Sequence, residues 1–216
     1  GAEFYSNVFV ITESILEKGV IWTGSDDGLI HVTRDNGTTW EDVTPPFSMS
    51  PKLNMINSID TSPFDKGTVY VAATSYKFGD YTPYLYKTTD YGETWELITD
   101  GIKENYYTRV VRTDKVREGL LYAGTEWGMY ISFDDGDNWE PFQLNLPITA
   151  IRDLHVRDND LIVATHGRSF WMIDDLTPLH QLSEEVSNSD FYLYKPDDAY
   201  RIHQERSWQE PNTKLV

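Results

Sequence analysis

Short apolar or alternating segments recur along the chain and are separated by pairs of turn residues. Residues 8–11 (VFVI) and 20–24 (VIWTG) flank the turn Lys18-Gly19, and similar pairs recur at 55–59 with 69–73, 109–112 with 121–125, and 151–156 with 161–165. Segments of this length, rich in β-branched and aromatic residues and bounded by Gly and polar residues, are typical of β-strands. The pattern therefore predicts an all-β chain built from four repeated hairpins.

An octapeptide occurs further along the chain in three of the repeats, at residues 33–40 (TRDNGTTW), 88–95 (TTDYGETW) and 132–139 (SFDDGDNW). Its Asp can accept hydrogen bonds from N–H groups further along a turn, its Gly supplies a positive φ, and its Trp buries a ring beside a neighbouring sheet. We therefore expect structural roles for Asp35, Gly37, Trp40, Asp90, Gly92, Trp95, Asp134, Gly136 and Trp139. The fourth copy ends in Asp174-Asp175 and lacks the Gly and the Trp.

These signals together predict four short strands per repeat, which we name A to D, with the octapeptide between C and D. Four antiparallel strands in each repeat of roughly 40 to 50 residues are typical of a propeller blade. The sequence therefore predicts a partial β-propeller of about four four-stranded blades over residues 1–180. Residues 181–216 are expected to form a C-terminal extension, in which residues 191–196 could be a ring-closing strand or a connection to a following domain.

The octapeptides resemble the Asp box of BNR-repeat proteins, a group of β-propellers that includes sialidases, xyloglucan-acting glycosidases and the sortilin ectodomain. Residues 164–176 (ATHGRSFWMIDDL) resemble the closing blade of large bacterial sortilin-like propellers that are often labelled glycosyl-hydrolase-like. The resemblance implies a repeat protein that is periplasmic, cell-surface or secreted. It also implies that the remaining blades of a parent propeller are partners and that the Asp boxes lie on the outer rim of the ring.

Composition and charge exclude several classes of partner. The chain carries 35 acidic and 18 basic residues, a formal net charge of −17, without a basic cluster that could bind phosphates. We expect no nucleic acid partner. No apolar run approaches the ~20 residues that span a bilayer, so we expect no membrane insertion. The chain has no Cys and no EF-hand spacing, and neither a metal site nor a cofactor is expected.

The candidate ligand-binding residues follow from strand order. Successive hairpins of an up-and-down blade alternate between two faces, so the B–C loops and the D-to-A crossovers share the face opposite the octapeptides. The B–C loops combine carboxylates, aromatic rings and cations, which bind sugars or peptides by stacking and hydrogen bonding. The candidates are Asp26, Asp27, Tyr76, Lys77, Glu126, Trp127, His166 and Arg168. A purely structural interpretation stays open, because Asp26-Asp27-Gly28 is also an ordinary turn sequence and His166 and Arg168 can serve the loop itself.

Two functions compete at this point. The first is a glycan- or peptide-binding or scaffold module of a larger exported protein. The second is part of a glycoside hydrolase, with Asp26, Asp27 or Glu126 as one of two carboxylates across a cleft. No complete catalytic set is visible, so the catalytic residues stay unknown. Arg109 and Arg112 are three positions apart on one predicted strand and are expected to point to opposite faces, which argues against a self-contained sialidase. A WD40 scaffold fits less well, because its Gly-His and Trp-Asp pairs are missing.

Overall fold

The computed structural model describes residues 6–46 and 54–196, and within them the chain is all-β, as the sequence predicts. Fifteen strands form four separate antiparallel sheets that follow one another in chain order. Blade 1 contains β1 (Val8–Glu13), β2 (Ile21–Ser25), β3 (Ile30–Thr33) and β4 (Glu41–Asp42). Blade 2 contains β5 (Met55–Thr61), β6 (Val69–Thr74), β7 (Tyr84–Thr88) and β8 (Glu96–Leu97). The result is a partial β-propeller.

The other two blades differ in strand number. Blade 3 contains β9 (Thr108–Thr113), β10 (Leu121–Thr125), β11 (Gly128–Ser132) and β12 (Glu140–Pro141). Blade 4 has three strands only, β13 (Ile151–Arg157), β14 (Asp160–Thr165) and β15 (Phe170–Asp174). The prediction of a fourth strand in this blade was wrong. The segment after β15 lacks the Gly and Trp of the octapeptide, and Pro178 cannot donate to a β ladder but fits the first turn of a helix.

The apolar core lies between blades. Trp22, Val32, Ile59 and Val71 belong to a cluster that joins blades 1 and 2. A second cluster joins blades 2 and 3 and includes Tyr70, Leu85, Val111, Leu121 and Trp139. Because each blade buries one side of its sheet against the next, repetition of strands with apolar residues on both sides produces a continuous core.

Strand A of every blade contains a β-bulge at the same position. The register shifts between Val8 and Val10, Ile56 and Ser58, and Ile151 and Asp153 on strand A, and opposite Gly124 in blade 3. The extra residues are therefore Phe9, Asn57, Arg109 and Arg152. A bulge re-aims the side chain of the extra residue and bends the strand, and here it does so close to the start of strand A.

From residue 177 onward, the described residues belong to a second unit, after a first unit that ends at Leu176. Its helices are α1 (Thr177–Gln181) and α2 (Glu184–Ser187), and the Ser183 hydroxyl caps α2 by accepting a hydrogen bond from the Val186 N–H. Residues 191–196 are neither helix nor strand, and their role as a ring-closing strand or as a connection to a following domain stays a prediction. The rest of the predicted extension, residues 197–216, lies outside the described residues. No helix in the described part of the chain is long and apolar enough to cross a lipid bilayer.

Candidate functional site

Two faces of the partial ring are defined by hydrogen bonds that recur from blade to blade. On one face, the fourth octapeptide residue donates its N–H to the Gly of the A–B turn, from Asn36 to Gly19, Tyr91 to Gly67 and Asp135 to Gly119. On the other, the B–C loop donates an N–H to the residue just before or at the start of strand A, from Asp26 to Asn7, Glu126 to Tyr107 and His166 to Ala150. We name these the hairpin face and the loop face.

The octapeptide carboxylates on the hairpin face hold their own turns. Asp35 accepts hydrogen bonds from the N–H of Thr39 at 2.8 Å, from its hydroxyl at 2.6 Å and from the Thr33 hydroxyl at 2.8 Å. These bonds lower the pKa of Asp35 to about 2. Asp90 and Asp134 make the corresponding bonds, and their pKa values are also lowered. Carboxylates occupied in this way are stable as anions and serve the turn.

The most elaborate arrangement on the loop face surrounds Arg109. Its Nε lies 2.6 Å from Oε2 of Glu126, and both side chains are mostly buried. Its Nη2 donates to the Tyr107 hydroxyl at 3.1 Å. The guanidinium carbon lies 4.9 Å from the ring centroid of Tyr107 and 5.1 Å from that of Tyr76. Arg109 is thus fixed by an ion pair, a hydrogen bond and two cation–π contacts.

The tyrosine rings extend this arrangement into a layer. Tyr76 and Tyr107 are stacked with centroids 5.3 Å apart, and Tyr81 lies 5.9 Å from Tyr107. We call Tyr76, Tyr81, Tyr107, Arg109 and Glu126 the tyrosine–arginine patch. Burial raises the pKa of Tyr107, so its phenol stays neutral and can both donate and accept hydrogen bonds near neutral pH.

Exposed aromatic side chains lie in and next to the patch in the same B–C loops. Tyr81 of the patch is 48% exposed, and its neighbours in these loops, Phe78 and Trp127, are 53% and 50% exposed. Phe78 and Lys77 lie on a short 3₁₀ helix, Tyr76–Phe78, whose last turn closes at Gly79 with a left-handed φ of 79°. Trp127 lies beside Tyr106, with ring centroids 6.4 Å apart. The patch therefore combines a fixed, mostly buried arginine with aromatic rings that face solvent.

The other candidate residues lie on different blades. In blade 1, Asp26 accepts hydrogen bonds from the backbone N–H and side-chain amide of Asn7, and Asp27 accepts from the hydroxyls of Ser6 and Ser25. Partial burial raises the pKa of Asp27, but these two hydroxyls outweigh it and leave the pKa below its ordinary value. Both carboxylates therefore tie their loop to the start of strand A.

In blade 4, the Nε of Arg152 donates to Nδ1 of His166 at 3.1 Å. Both side chains are exposed, as is that of Arg168. The backbone of Arg168 is bound on both sides, because its N–H donates to Thr165 and its carbonyl accepts from the indole of Trp171 at 2.7 Å. The structure thus brings Tyr76 and Glu126 together through Arg109, whereas Asp26, Asp27, His166 and Arg168 make their contacts within their own blades.

Two of the residues that complete the patch, Tyr107 and Arg109, lie outside the B–C loops from which the sequence-based candidates were drawn, and Tyr81 lies in such a loop but was not among the candidates. Tyr107 ends the crossover into blade 3, Arg109 is the bulge residue of β9, and Tyr81 lies in the long B–C loop. Arg112 is directed elsewhere, and its guanidinium binds the Leu154 carbonyl at 2.8 Å and Asp153 at 2.8 Å. A signal existed in the sequence, since the Tyr106-Tyr107 pair precedes strand A only in blade 3.

The described carboxylates of the loop face are each engaged by neighbouring groups. Glu126 is committed to Arg109, and Asp80 accepts hydrogen bonds from Thr82 and from the Tyr84 hydroxyl. Burial raises the pKa of Asp80, but these hydrogen bonds outweigh it and lower the pKa overall. A general acid needs a raised pKa, so Asp27 and Asp80 are poor candidates for that role.

The strand order and the two faces place the protein in the class of β-propellers, here as a partial ring. No protein-family model matches the chain, and no curated protein matches it. Solved propellers match it by structure. A YCF48 structure with bound D1 peptide has a TM-score of 0.54 and 20% identity, over 74% of this chain and 50% of that one. YCF48 from Cyanidioschyzon merolae has a TM-score of 0.57 and 19% identity, over 90% and 57%.

Two other neighbours are longer. The GH74 enzyme of Niastella koreensis has a TM-score of 0.59 and 17% identity, over 74% of this chain and 26% of that enzyme. The extracellular domain of BT4673 from B. thetaiotaomicron has a TM-score of 0.57 and 14% identity, over 77% and 21%. The chain thus spans about half of the YCF48 structures and about a quarter or less of these two. At such identities the likeness shows the propeller fold alone.

Proposed function

We propose that the chain is a binding module within a larger exported propeller, and that its loop face binds a peptide at the tyrosine–arginine patch. Two features of one surface carry this proposal. Arg109 is fixed by its ion pair with Glu126 and by cation–π contacts with two tyrosines. The aromatic rings of Phe78, Tyr81 and Trp127 are exposed to solvent. Rigid aromatic groups bind at low entropic cost because they are already ordered. The three octapeptides support membership of the BNR/Asp-box repeat proteins, and it is this resemblance that implies export.

Charge favours a peptide that carries basic and apolar residues. The net charge of −17 attracts cations over long range, and exposed aromatic faces bind Lys and Arg side chains by cation–π contacts. A neutral glycan gains only the stacking part of this energy. The D1 peptide bound to YCF48 supports a peptide ligand on this fold, and the GH74 enzymes keep the glycan as the second candidate.

Binding is favoured over catalysis because the carboxylates of the loop face are already occupied. Glu126 neutralises Arg109, and Asp26 and Asp27 hold the start of strand A. Without Glu126, the mostly buried guanidinium of Arg109 would have no counter-charge. Glu126 is therefore better explained as a support of the patch than as an acid or base.

The experiment is selection from a random peptide library with the immobilised chain, in parallel with a glycan array. Enriched peptides are expected to contain Lys or Arg next to apolar residues, and their binding should weaken between about 50 and about 500 mM salt, a range chosen for its effect on screening. The Tyr81→Ala/Trp127→Ala variant should lose binding, whereas Phe64→Ala, an exposed aromatic residue of an A–B turn, should retain it. Enrichment of neutral glycans alone, or equal binding by both variants, would reject the peptide proposal.

A further inference from the structure

An octapeptide Trp fills the outer edge of the seam between two neighbouring blades. The Trp139 indole donates to the carbonyl of Ile98, the residue directly after β8, at 2.9 Å. The Trp95 indole donates to the carbonyl of Val43, the residue directly after β4, at 2.7 Å. One indole therefore occupies the seam between blades 1 and 2, and another occupies the seam between blades 2 and 3.

The fourth repeat has no Trp for the seam between blades 3 and 4. Leu176 takes the fourth position of this copy, since its N–H donates to the Asn159 carbonyl at 2.8 Å, as that of Asp135 donates to Gly119. Counted from there, the eighth position is His180, which belongs to α1. The fourth copy thus keeps the register of an octapeptide but not its indole.

Blade 3 nevertheless retains its half of an indole site. Phe142 follows β12 directly, as Ile98 follows β8. The Phe142 N–H donates to the Met129 carbonyl at 2.8 Å, and the Ile98 N–H donates to the Leu85 carbonyl at 2.9 Å. Leu85 and Ile98 share a buried cluster with Trp139. The carbonyl of Phe142 therefore corresponds to the one that the Trp139 indole binds.

Blade 4 supplies the other half of the site. Trp171 pairs with Val163 between β15 and β14. The equivalent pair in blade 3 is Tyr130 and Ala123, and both belong to the cluster that contains Trp139. Side chains of blades 3 and 4 line an open groove of about 310 Å³ at this seam. We call five of these lining residues the indole socket: Met129, Phe142, Leu146, Val163 and Trp171.

The indole socket is partly open to solvent, and its rim is strained. Ile98 is 3% exposed beside Trp139, whereas the equivalent Phe142 is only partly buried. Leu144 lines the rim of the groove with a φ of 44° and is 69% exposed. A positive φ is unfavourable for a bulky side chain, and an exposed Leu gains little burial in return. Such strain beside a groove is typical of a binding site.

Carboxylates next to the socket define the charge of its ligand. Ile173 lines the groove and is followed directly by Asp174. Asp174 lies opposite Asp160 in the pairing of β15 with β14. Like charges that face each other across two strands are unfavourable. A cation bound near the socket reduces this repulsion, so the complementary ligand joins an indole to a positive charge.

We propose that the indole socket binds a Trp side chain of a partner polypeptide that carries Lys or Arg beside this Trp. The indole N–H donates to the Phe142 carbonyl, as Trp139 donates to Ile98, and the ring covers Met129. Trp is among the residues that contribute most to protein interfaces. Blades 3 and 4 are both present at this seam, so the site plays no part in the addition of further blades. It is also independent of the tyrosine–arginine patch.

The test uses the peptide Lys-Trp-Lys with blocked ends, and Lys-Ala-Lys as its matched control. The full chain is labelled with ¹³C at the Met methyl groups, and the signal of Met129 is identified by its loss in Met129→Leu. An indole ring placed over this methyl group shifts its signal upfield. Lys-Trp-Lys should produce a saturable shift with a dissociation constant below about 1 mM, and Lys-Ala-Lys should produce none.

Three variants locate the effect. Leu144→Ala should weaken the binding at least about threefold, because it removes apolar surface from the rim. Val116→Ala, which truncates a similarly exposed aliphatic residue in the A–B turn of blade 3, should leave the binding unchanged. Tyr81→Ala/Trp127→Ala should also leave the Met129 shift unchanged, and this separates the socket from the tyrosine–arginine patch.

The remaining outcomes would overturn the proposal. A Met129 signal that stays in place with millimolar Lys-Trp-Lys would exclude the indole socket as a binding site. Equal affinity for N-acetyltryptophanamide would show that the cation beside the Trp contributes nothing. A signal that is already shifted upfield in the free chain, and that returns in Trp208→Phe, would assign the socket to a Trp of the chain itself.

Discussion

The two faces of the partial ring differ in how far the repeats have stayed alike. On the hairpin face, the Asp carboxylate of each of the three octapeptides accepts the same hydrogen bond from an N–H of its own turn, at nearly the same distance. On the loop face, the B–C loops differ in length and chemistry. Among the described residues, a 3₁₀ helix occurs only in the loop of blade 2, and an ion pair with an Arg of strand A occurs only in that of blade 3. Features that repeat maintain the blades, and features that differ between blades are where a ligand can be distinguished.

The largest expected effect is on stability, at an octapeptide Trp that is buried against the preceding blade. Trp139 is 3% exposed and its indole donates to the Ile98 carbonyl, so Trp139→Ala should lower the free energy of unfolding by about 3–5 kcal/mol. Trp40 is 43% exposed, so Trp40→Ala should lower the free energy of unfolding by less than about 1 kcal/mol. Urea unfolding followed by circular dichroism measures both. Equal losses would contradict the distinction between the buried Trp139 and the exposed Trp40.

A smaller effect is expected from the ion pair of the patch. Glu126→Gln leaves the mostly buried Arg109 without its counter-charge and should lower the free energy of unfolding by about 1–3 kcal/mol, and it should also weaken peptide binding. Asp153→Asn serves as the matched control. It breaks the ion pair between Arg112 and the largely exposed carboxylate of Asp153, and the expected loss in the free energy of unfolding is under about 1 kcal/mol. Thermal unfolding of both variants decides whether Glu126 supports the patch.

We expect the free energy of unfolding to depend on pH at low pH because of the octapeptide carboxylates. Their pKa values are lower in the folded protein than in the unfolded chain, so their contribution is complete above the unfolded value near 3.8 and disappears as the pH falls through the folded value. For Asp35 that lower limit is about 2. Stability should therefore fall between about pH 4 and about pH 2. The Asp35→Asn/Asp90→Asn/Asp134→Asn variant should be less stable at pH 6 and should lose less on acidification; an unchanged acid profile would contradict this assignment.

The smallest effect on stability is expected where the effect on binding is largest. Tyr81→Ala and Trp127→Ala truncate side chains that are about half exposed, and each should change the free energy of unfolding by no more than about 0.5–1 kcal/mol. Both should weaken peptide binding at least about fivefold, which corresponds to a loss near 1 kcal/mol. Isothermal titration calorimetry with a selected peptide measures this loss. Full affinity in both variants would show that Tyr81 and Trp127 do not contact the peptide.

Much of the fold could be predicted from the sequence, because the same strand and turn signals occur in several repeats. The octapeptides and the paired apolar segments predict the blades, and their strand order predicts two faces. The missing strand of blade 4 shows where this reasoning fails, because the fourth copy lacks both the Gly that the turn needs and the Trp that packs beside the neighbouring sheet. The patch could not be predicted from the repeats, because Arg109 occupies a bulge and Tyr107 a crossover, and both positions are set by register and not by motif.

The measurement that tests the division between the faces most directly is hydrogen–deuterium exchange of the chain with and without a selected peptide. Our account predicts protection confined to the loop face, in residues 75–83 and 126–127 and around Tyr107, with the three octapeptides unchanged. Protection of the octapeptides with an unaltered loop face would contradict it and would place the ligand on the surface that we assign to holding the blades together.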